Sequence, residues 1–264
     1  MGDKTKIEWS DATLNFATGC TKVSPACDAC YMYREYPRLR GWGVRGYETD
    51  PDTVTVIPER ITKMSRYRNK RVFVNSMSDT FHRDVPFEVV EDFMVAARWR
   101  HEAIFQVLTK RPGRAEAFWH WLRERGWDAW PENVWLGTSV ETQKYAPRID
   151  VLARVPAPVR FVSAEPLLGP VDLSRWLPNT GRDPEAVYDG DPEVWKPGMV
   201  HWVIVGGESG PHARHMEHEW ARSLLDQCHM AGVPFFMKQM SRKQPIPDSL
   251  MVREYPETPR PAMI

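Results

Sequence analysis

Cysteine is scarce in this chain, with only four residues among 264. That number is too small for the disulfide framework of a cysteine-rich secreted protein. The charged residues Met1 to Lys6 lack the apolar core of a signal peptide. We therefore expect a cytoplasmic protein whose cysteines serve thiol or metal chemistry.

Long hydrophobic runs and an excess of charge of one sign are also missing. No apolar segment approaches the length needed to cross a bilayer, so we expect no membrane partner. The 35 basic and 35 acidic residues cancel, which excludes a strong overall field for nucleic acid but leaves room for a local basic patch. A length of 264 residues, 42% of them hydrophobic, suits a single domain over residues 1–264.

Short apolar runs rich in β-branched residues recur along the chain, and each ends in small or polar residues. Such runs are typical of strands covered on both faces, and stretches with helical spacing lie between several of them. The alternation predicts an α/β fold with about seven βα units, as a complete or partial TIM-like parallel (β/α) barrel. A flat doubly wound sheet is the alternative. The predicted strands cover residues 13–18, 71–75, 103–108, 134–137, 159–162, 202–205 and 233–237, and the predicted helices cover 87–99, 114–125, 143–152 and 217–232, with Gly232 as a helix C-cap.

Three segments interrupt this alternation. Residues 34–58 are rich in Arg, Gly and Tyr, and residues 177–198 are rich in Pro, Asp and Gly. Both are predicted to be long loops, which in compact domains are often functional. The C-terminal tail, residues 244–264, has five prolines and is expected to be extended.

Polar and small residues follow nearly every predicted strand. In α/β proteins the active site lies at the carboxyl ends of the strands, so we expect these residues to converge on one pocket. The alternative is that they only end strands and cap helices, which is equally plausible for the serines. The candidate cofactor-binding residues are Ser76, Ser78, Asp79, Ser139, Glu141, Gly206 and Gly207, and the candidate catalytic residues are Glu165, Lys110 and Glu208.

Two of these candidates have a specific physical reason. The carboxylate of Glu165 at a buried strand end needs a partner, which Lys110 or Arg111 could supply. The glycines of the stretch 206–210 allow a backbone to approach a ligand closely, and their N–H groups can receive an anion.

The pattern C-x6-C-x2-C, formed by Cys20, Cys27 and Cys30, follows the first predicted strand. Three thiolates are one ligand short of a structural zinc site, which His82 could complete. A cubane iron–sulfur cluster held by three thiolates leaves one iron open, a variant of the usual four-thiolate arrangement. Three ordinary buried cysteines are the third possibility, and Cys228, on the apolar face of a predicted helix, is expected in the core.

Sequence blocks spread over nearly the whole chain resemble the phage Gp37/Gp68 family, also called DUF5131. That family is regarded as similar to radical S-adenosylmethionine (SAM) enzymes and is carried by phages and bacteria. The matching blocks are residues 7–15, 18–20, 27–31, 73–79, 108–112, 137–141, 163–169, 205–210 and 234–239.

The resemblance implies a barrel of the radical SAM type in which Cys20, Cys27 and Cys30 hold a [4Fe-4S] cluster whose fourth iron binds SAM. Reductive cleavage of SAM, with electrons from a donor such as flavodoxin, would then produce a radical that abstracts hydrogen from the substrate.

The commonest motif of such enzymes is C-x3-C-x2-C, and its Gly-Gly-Glu-type contact follows the second strand. Here three extra residues lie between the first two cysteines, and Gly-Gly-Glu follows the sixth strand. We therefore expect other SAM contacts. Ser76, Ser78 and Asp79 are placed near the methionyl group, and Ser139, Glu165 and Gly207 deeper in the pocket.

The phage association suggests a base of DNA or RNA, modified or repaired, as the substrate. Residues 33–47 and 63–71 are locally basic with interleaved aromatics, a composition suited to nucleic acid, and a solvated helix face is the alternative for 63–71. Two alternatives stay open. One is a non-catalytic zinc protein that binds nucleic acid through the three cysteines and His82, and the other is a photoproduct lyase-like repair enzyme that shares the cluster.

Overall fold

The computed structural model describes residues 5–178 and 199–257, and no helix within these ranges is long and apolar enough to cross a membrane. The strands are β1 (Ala12–Leu14), β2 (Ala17–Thr18), β3 (Thr55–Val56), β4 (Arg71–Val74), β5 (Ile104–Thr109), β6 (Val134–Ser139), β7 (Arg160–Ala164), β8 (Trp202–Gly206) and β9 (Phe235–Gln239). The α-helices are α1 (Tyr31–Gly41), α2 (Phe87–Arg98), α3 (Pro112–Glu124), α4 (Arg148–Leu152) and α5 (His218–Ala231). Short 3-10 helices cover Pro25–Cys27, Pro58–Arg66, Gln143–Tyr145, Ser241–Lys243 and Asp248–Leu250.

Seven strands form one sheet in the order β1-β4-β5-β6-β7-β8-β9, while β2 and β3 form a separate antiparallel pair. The pairs β1–β4, β4–β5, β7–β8 and β8–β9 are parallel. Each sheet strand lies beside its successor in the chain, which is the strand order of a (β/α) barrel. Within the described ranges β1 and β9 are the two edges, so the barrel type is partial. The predicted α/β fold is confirmed, and the doubly wound alternative, whose strand order reverses midway, is wrong.

The chain divides into two compact units. Unit 1 comprises Met1–Gly137 with Val155–Pro158, and unit 2 comprises Thr138–Arg154 with Val159–Ile264. In unit 2, one face of β7, β8 and β9 packs against α5 in a large apolar core that includes Cys228, as expected from the sequence. Helix α5 ends at Gly232, whose φ of 65° lies in the left-handed region that favours glycine, so this predicted C-cap is confirmed.

The prediction of a long loop over residues 34–58 is wrong at both ends of the segment. Helix α1 extends to Gly41 and β3 covers Thr55–Val56. The helix buries Met32 and Tyr36 and exposes its arginines, and the internal Pro37 and the arginines concealed this pattern in the sequence.

Most of the other predicted loop, residues 179–198, lies outside the described residues, as does 258–264 of the tail. The described part of the tail contains the 3-10 helix Asp248–Leu250 and a bridge from Arg253 to Phe236 of β9.

Candidate functional site

The three cysteines of the motif lie in one loop of unit 1, which leads from β2 to α1. Cys20 follows β2, Cys27 ends the 3-10 helix Pro25–Cys27, and Cys30 immediately precedes α1. All three are free thiols of intermediate exposure. The Cys30 N–H donates to the Cys27 carbonyl at 3.3 Å, and the Tyr33 hydroxyl donates to the Cys20 carbonyl at 2.9 Å. We call residues 20–30 the cysteine loop.

The beginning of the cysteine loop is anchored by close backbone packing at Gly19. The φ of Gly19 is 79°, and a Cβ there would lie 2.1 Å from the Thr53 carbonyl oxygen, so only glycine fits. The Cys20 N–H donates to the Pro51 carbonyl at 2.9 Å. The Ser78 hydroxyl, in the turn after β4, donates to the Gly19 carbonyl at 2.6 Å. Ser78 therefore positions the loop through its backbone.

A second anchor holds the cysteine loop at Thr21. The Arg111 guanidinium donates to the Thr21 carbonyl at 2.9 Å and to its hydroxyl at 2.8 Å. Nε2 of the fully buried His82 lies 2.7 Å from the same hydroxyl, and Nδ1 accepts from the Asp84 N–H at 3.2 Å. Burial, followed by the charge of Arg111, lowers the pKa of His82.

His82 is therefore not placed as a zinc ligand, contrary to the sequence-based alternative, because both ring nitrogens already have partners in the protein. Among residues 5–178 and 199–257, no group of three or more His, Cys, Asp or Glu side chains, the three cysteines included, is arranged to hold a metal ion. His82 is excluded as a fourth ligand because it is buried and contacts the Thr21 hydroxyl instead of a thiol.

Burial keeps two thiols of the cysteine loop, those of Cys20 and Cys30, protonated when nothing is bound to them. Burial raises the pKa of Cys20 to about 12, with a smaller contribution from Asp79, while Arg111 lowers it. Burial also raises the pKa of Cys30, which Lys110 lowers. Cys27 raises the pKa of both other thiols, so the three groups interact. By donor type, three free thiols with the charges of Lys110 and Arg111 nearby suit an anionic iron–sulfur cluster, whose binding would displace the thiol protons.

Asp79 connects the turn after β4 to the end of β5. Its buried carboxylate accepts from the Thr109 hydroxyl at 2.7 Å, the Phe81 N–H at 2.9 Å and the Lys110 N–H at 3.1 Å. Both oxygens thus have structural partners, which favours positioning over direct contact with a cofactor. The predicted role of Asp79 as a SAM contact stays a prediction.

Ser76 is tied to two further elements of unit 1. Its hydroxyl donates to Oδ1 of Asn15 at 3.1 Å, and its carbonyl accepts from the hydroxyl of Tyr31. The sequence interpretation missed Asn15 and Thr21 as residues that organise this region. Asn15 could have been found from its position directly after β1.

In unit 2, an ion pair joins Glu165, just after β7, to Lys238 on β9. The side chains are 19% and 16% exposed. The expectation that Lys110 or Arg111 would be the partner of Glu165 is wrong. Strand β8 separates β7 from β9, and a Cβ on its residue Gly206 would lie 3.4 Å from Cγ of Glu165 and 3.5 Å from Cβ of Lys238. The absence of a side chain at Gly206 lets the two charges meet across β8.

A buried hydroxyl lies two residues before this ion pair. Val162 and Ala164 of β7 belong to the core shared with α5, and strand alternation places Ser163 and Glu165 on the opposite face. Ser163 is fully buried, and within the described residues its hydroxyl has no hydrogen-bond partner. Buried polar groups in proteins nearly always have a partner, so this hydroxyl indicates a bound water or ligand group.

Two other predicted carboxylates of unit 2 are held by arginines. The buried Glu208 accepts from the Arg214 backbone N–H at 2.8 Å and from its Nε at 3.1 Å. The fully buried Glu141 pairs with Arg148 at 3.0 Å. These contacts account for both carboxylates structurally and give no support to catalysis by Glu208.

Ser139 and Gly207 also have structural explanations. The Ser139 carbonyl accepts from Arg148 at 2.8 Å. A Cβ on Gly207 would lie 2.5 Å from the Ser241 nitrogen, so packing against Ser241 requires glycine there. Their roles as cofactor ligands stay predictions.

Comparison of the sequence with protein families gives a match over most of the chain. Residues 4–253 match the family model described as "Protein of unknown function (DUF5131)". The phage name Gp37/Gp68 is not part of that description and stays a prediction. No curated protein matches the chain. Among solved structures, a mutant of spore photoproduct lyase matches with a TM-score of 0.48 and 11% identity, over 90% of this chain and 78% of the other. That likeness is too distant to assign a function.

Proposed function

The chain belongs to the DUF5131 family, and we propose that it is a radical SAM-type enzyme that modifies or repairs a nucleic-acid base. The observation that carries this proposal is the cysteine loop, in which Cys20, Cys27 and Cys30 are free, partly exposed and within eleven residues of one another between β2 and α1. No fourth protein ligand is needed, since a cluster held by three thiolates keeps one iron open for SAM. When bound, such a cluster and SAM supply a one-electron cleavage that yields a 5′-deoxyadenosyl radical able to abstract hydrogen from a substrate.

The residues around the loop provide rigidity and charge. Arg111 and His82 fix Thr21, and Ser78 fixes Gly19, so the beginning of the loop is held before any ligand binds. Such preorganisation keeps cofactor ligands in place and reduces the cost of binding. Lys110 and Arg111 are the cations that lower the thiol pKa values, and they would partly neutralise a bound anionic cluster.

In unit 2, the face of β7 that carries Ser163 and Glu165 offers a hydroxyl, a carboxylate and the Lys238 ammonium. Towards the beginnings of β7 and β8 the same face is aromatic, with the Phe161 and Trp202 rings 5.8 Å apart. A polar group of the cofactor or substrate would bind the charged end, and the aromatic end would exclude water.

The experiment is anaerobic purification of the full chain, followed by measurement of iron, sulfide and zinc. We expect a brown protein with about four irons and four sulfides per chain, and release of 5′-deoxyadenosine from SAM under reductant. Cys20→Ala should lose the iron and the cleavage. Cys228→Ala, which removes a buried thiol from the core around α5, is the matched control and should keep both.

Two outcomes would contradict the proposal. A colourless wild-type protein with one bound zinc would exclude the cluster. An intact cluster that binds SAM but releases no 5′-deoxyadenosine with any nucleic-acid substrate would exclude radical chemistry.

A further inference from the structure

Helix α1 carries a stripe of aromatic and basic side chains that begins at the cysteine loop. The stripe consists of Tyr31, Arg34, Arg38 and Trp42, spaced three, four and four residues apart, which places them along one side of a helix. All four are exposed, whereas Met32 on another side of the helix is buried. Trp42 directly follows α1 and is 67% exposed, an uncommon position for so large an apolar ring.

The charge of the α1 stripe is positive and only loosely compensated. Of the four arginines in residues 31–47, Arg40 pairs with Asp50 and Arg45 with Glu59, so the charge of the stripe comes from Arg34 and Arg38. Glu35 is shared by Arg34, at 3.6 Å, and Arg38, at 2.8 Å. Both arginine side chains are about half exposed, and ion pairs at such exposure are weak. A phosphate can therefore replace Glu35 at little cost.

The arginine nearest the tryptophan already stacks on it. The Arg38 guanidinium carbon lies 4.7 Å from the centre of the Trp42 ring, which orients the ring and adds positive charge beside it. An exposed aromatic ring next to arginines is the combination that proteins use to bind single strands, with bases on the ring and phosphates on the cations.

We propose that the α1 stripe binds single-stranded nucleic acid, with an unpaired base stacked on Trp42 and phosphates bound by Arg34 and Arg38. This inference rests on the proposed function, because it names the surface that would present the strand to the cysteine loop. Eleven residues separate Trp42 from Tyr31, so the stripe is about 16 Å long. That length corresponds to roughly five nucleotides at the spacing of about 3.4 Å in a stacked strand. A strand anchored at Trp42 can therefore reach the thiol of Cys30, which precedes Tyr31.

The first test measures the affinity of the full chain for a fluorescein-labelled oligonucleotide of about twelve nucleotides, by anisotropy. Trp42→Ala should weaken binding about five- to 150-fold, the effect of losing one stacked base. Trp99→Ala is the matched control. Trp99 is 76% exposed at the end of α2, outside the stripe, and its loss should change affinity less than twofold.

The second test repeats the titration over a salt series. The double variant Arg34→Gln with Arg38→Gln should reduce the slope of log affinity against log salt by about 1.4, since each phosphate neutralised on a single strand contributes about 0.7. Arg98→Gln with Arg175→Gln is the matched control, because both arginine side chains are about half exposed, like Arg34 and Arg38, and lie outside residues 33–47 and 63–71. It should leave the slope unchanged.

Several results would overturn the inference. Equal losses in Trp42→Ala and Trp99→Ala, or no loss in either, would remove Trp42 as a base platform. Duplex binding as tight as single-strand binding, with no dependence on Trp42, would do the same. If Arg34→Gln with Arg38→Gln slows reduction by flavodoxin and leaves oligonucleotide affinity intact, the stripe binds an acidic protein.

The failure of this inference is distinguishable from failure of the proposed function. A wild-type protein with its cluster and SAM cleavage intact but no oligonucleotide binding would overturn the stripe alone. Trp42→Ala should retain full iron content, because the side chain is exposed, stacks with Arg38 and is twelve residues along the chain from Cys30.

Discussion

Removing one charge from the Glu165–Lys238 pair separates its structural role from its chemical role. Each side chain is less than a fifth exposed. Breaking a fully buried pair costs about 3–5 kcal/mol, and an exposed pair contributes about 0–1 kcal/mol. For this partly screened pair we expect Glu165→Gln and Lys238→Met each to lower the free energy of unfolding by about 2–3 kcal/mol. The double variant should recover most of that loss, because no unpaired charge remains buried.

The assay is a double-mutant cycle with two readouts, urea unfolding and 5′-deoxyadenosine release, on the four proteins of the cycle. We expect the double variant to regain stability but to stay at least about tenfold below wild type in release, roughly 1.4 kcal/mol of lost transition-state stabilisation. Lys22→Met, which breaks an exposed pair with Asp28, is the control and should change stability by less than about 0.5 kcal/mol. Recovery of both readouts together would refute the reasoning and make the pair purely structural.

Two further predictions concern single residues. Burial and the charge of Arg160 lower the pKa of His201 from 6.5 to about 4. Between these pH values the folded protein binds fewer protons than the unfolded chain, so the free energy of unfolding falls as the pH drops from about 6.5 to 4. The full shift corresponds to about 3 kcal/mol, and partial solvent screening reduces it to roughly 1–2 kcal/mol. His201→Asn keeps an acceptor for the Arg160 N–H and does not titrate, so its free energy of unfolding in urea should change less with pH over this range. Equal pH dependence of the unfolding free energy in both proteins would contradict the assignment. Gly19→Ala should lower the free energy of unfolding by about 2–4 kcal/mol, because alanine is strained at this positive φ and its Cβ clashes with the Thr53 carbonyl. The same variant should bind less iron. Gly43→Ala, also at positive φ but with open space around it, should cost only about 1 kcal/mol and keep the iron, and equal effects of the two substitutions would argue against a packed loop entrance.

The strands were predictable because they are buried on both faces and so appear as continuous apolar runs in the sequence. Six of the seven strands of the main sheet begin and end within two residues of the predicted boundaries, whereas the predicted strand 13–18 is divided between β1, in the main sheet, and β2, in the antiparallel pair. Helix α1 was not predictable in the same way. Pro37 and four nearby arginines conceal a helical spacing of buried residues, Met32 and Tyr36, that is visible only once their burial is known.

For the candidate site, too, features that are local in sequence were predictable and contacts between distant residues were not. The motif of Cys20, Cys27 and Cys30 is local in sequence, so its single-loop placement followed from spacing. The partner of Glu165 is 73 residues away, and the sequence alone favoured the wrong cations. Lys238 is the partner because Gly206 lies between them on β8.

By itself, the sequence determined the strands of the main sheet, their alternation with most of the helices and the grouping of three thiols, since these depend on spacing within a few residues. Only the tertiary structure decided that His82 and Arg111 hold Thr21, that Glu208 and Glu141 are neutralised by arginines, and that Ser163 is left without a partner among the described residues. The physical reason is that a buried polar group takes whichever partner the packing brings within hydrogen-bond distance, and that distance is set by strands far apart in the chain.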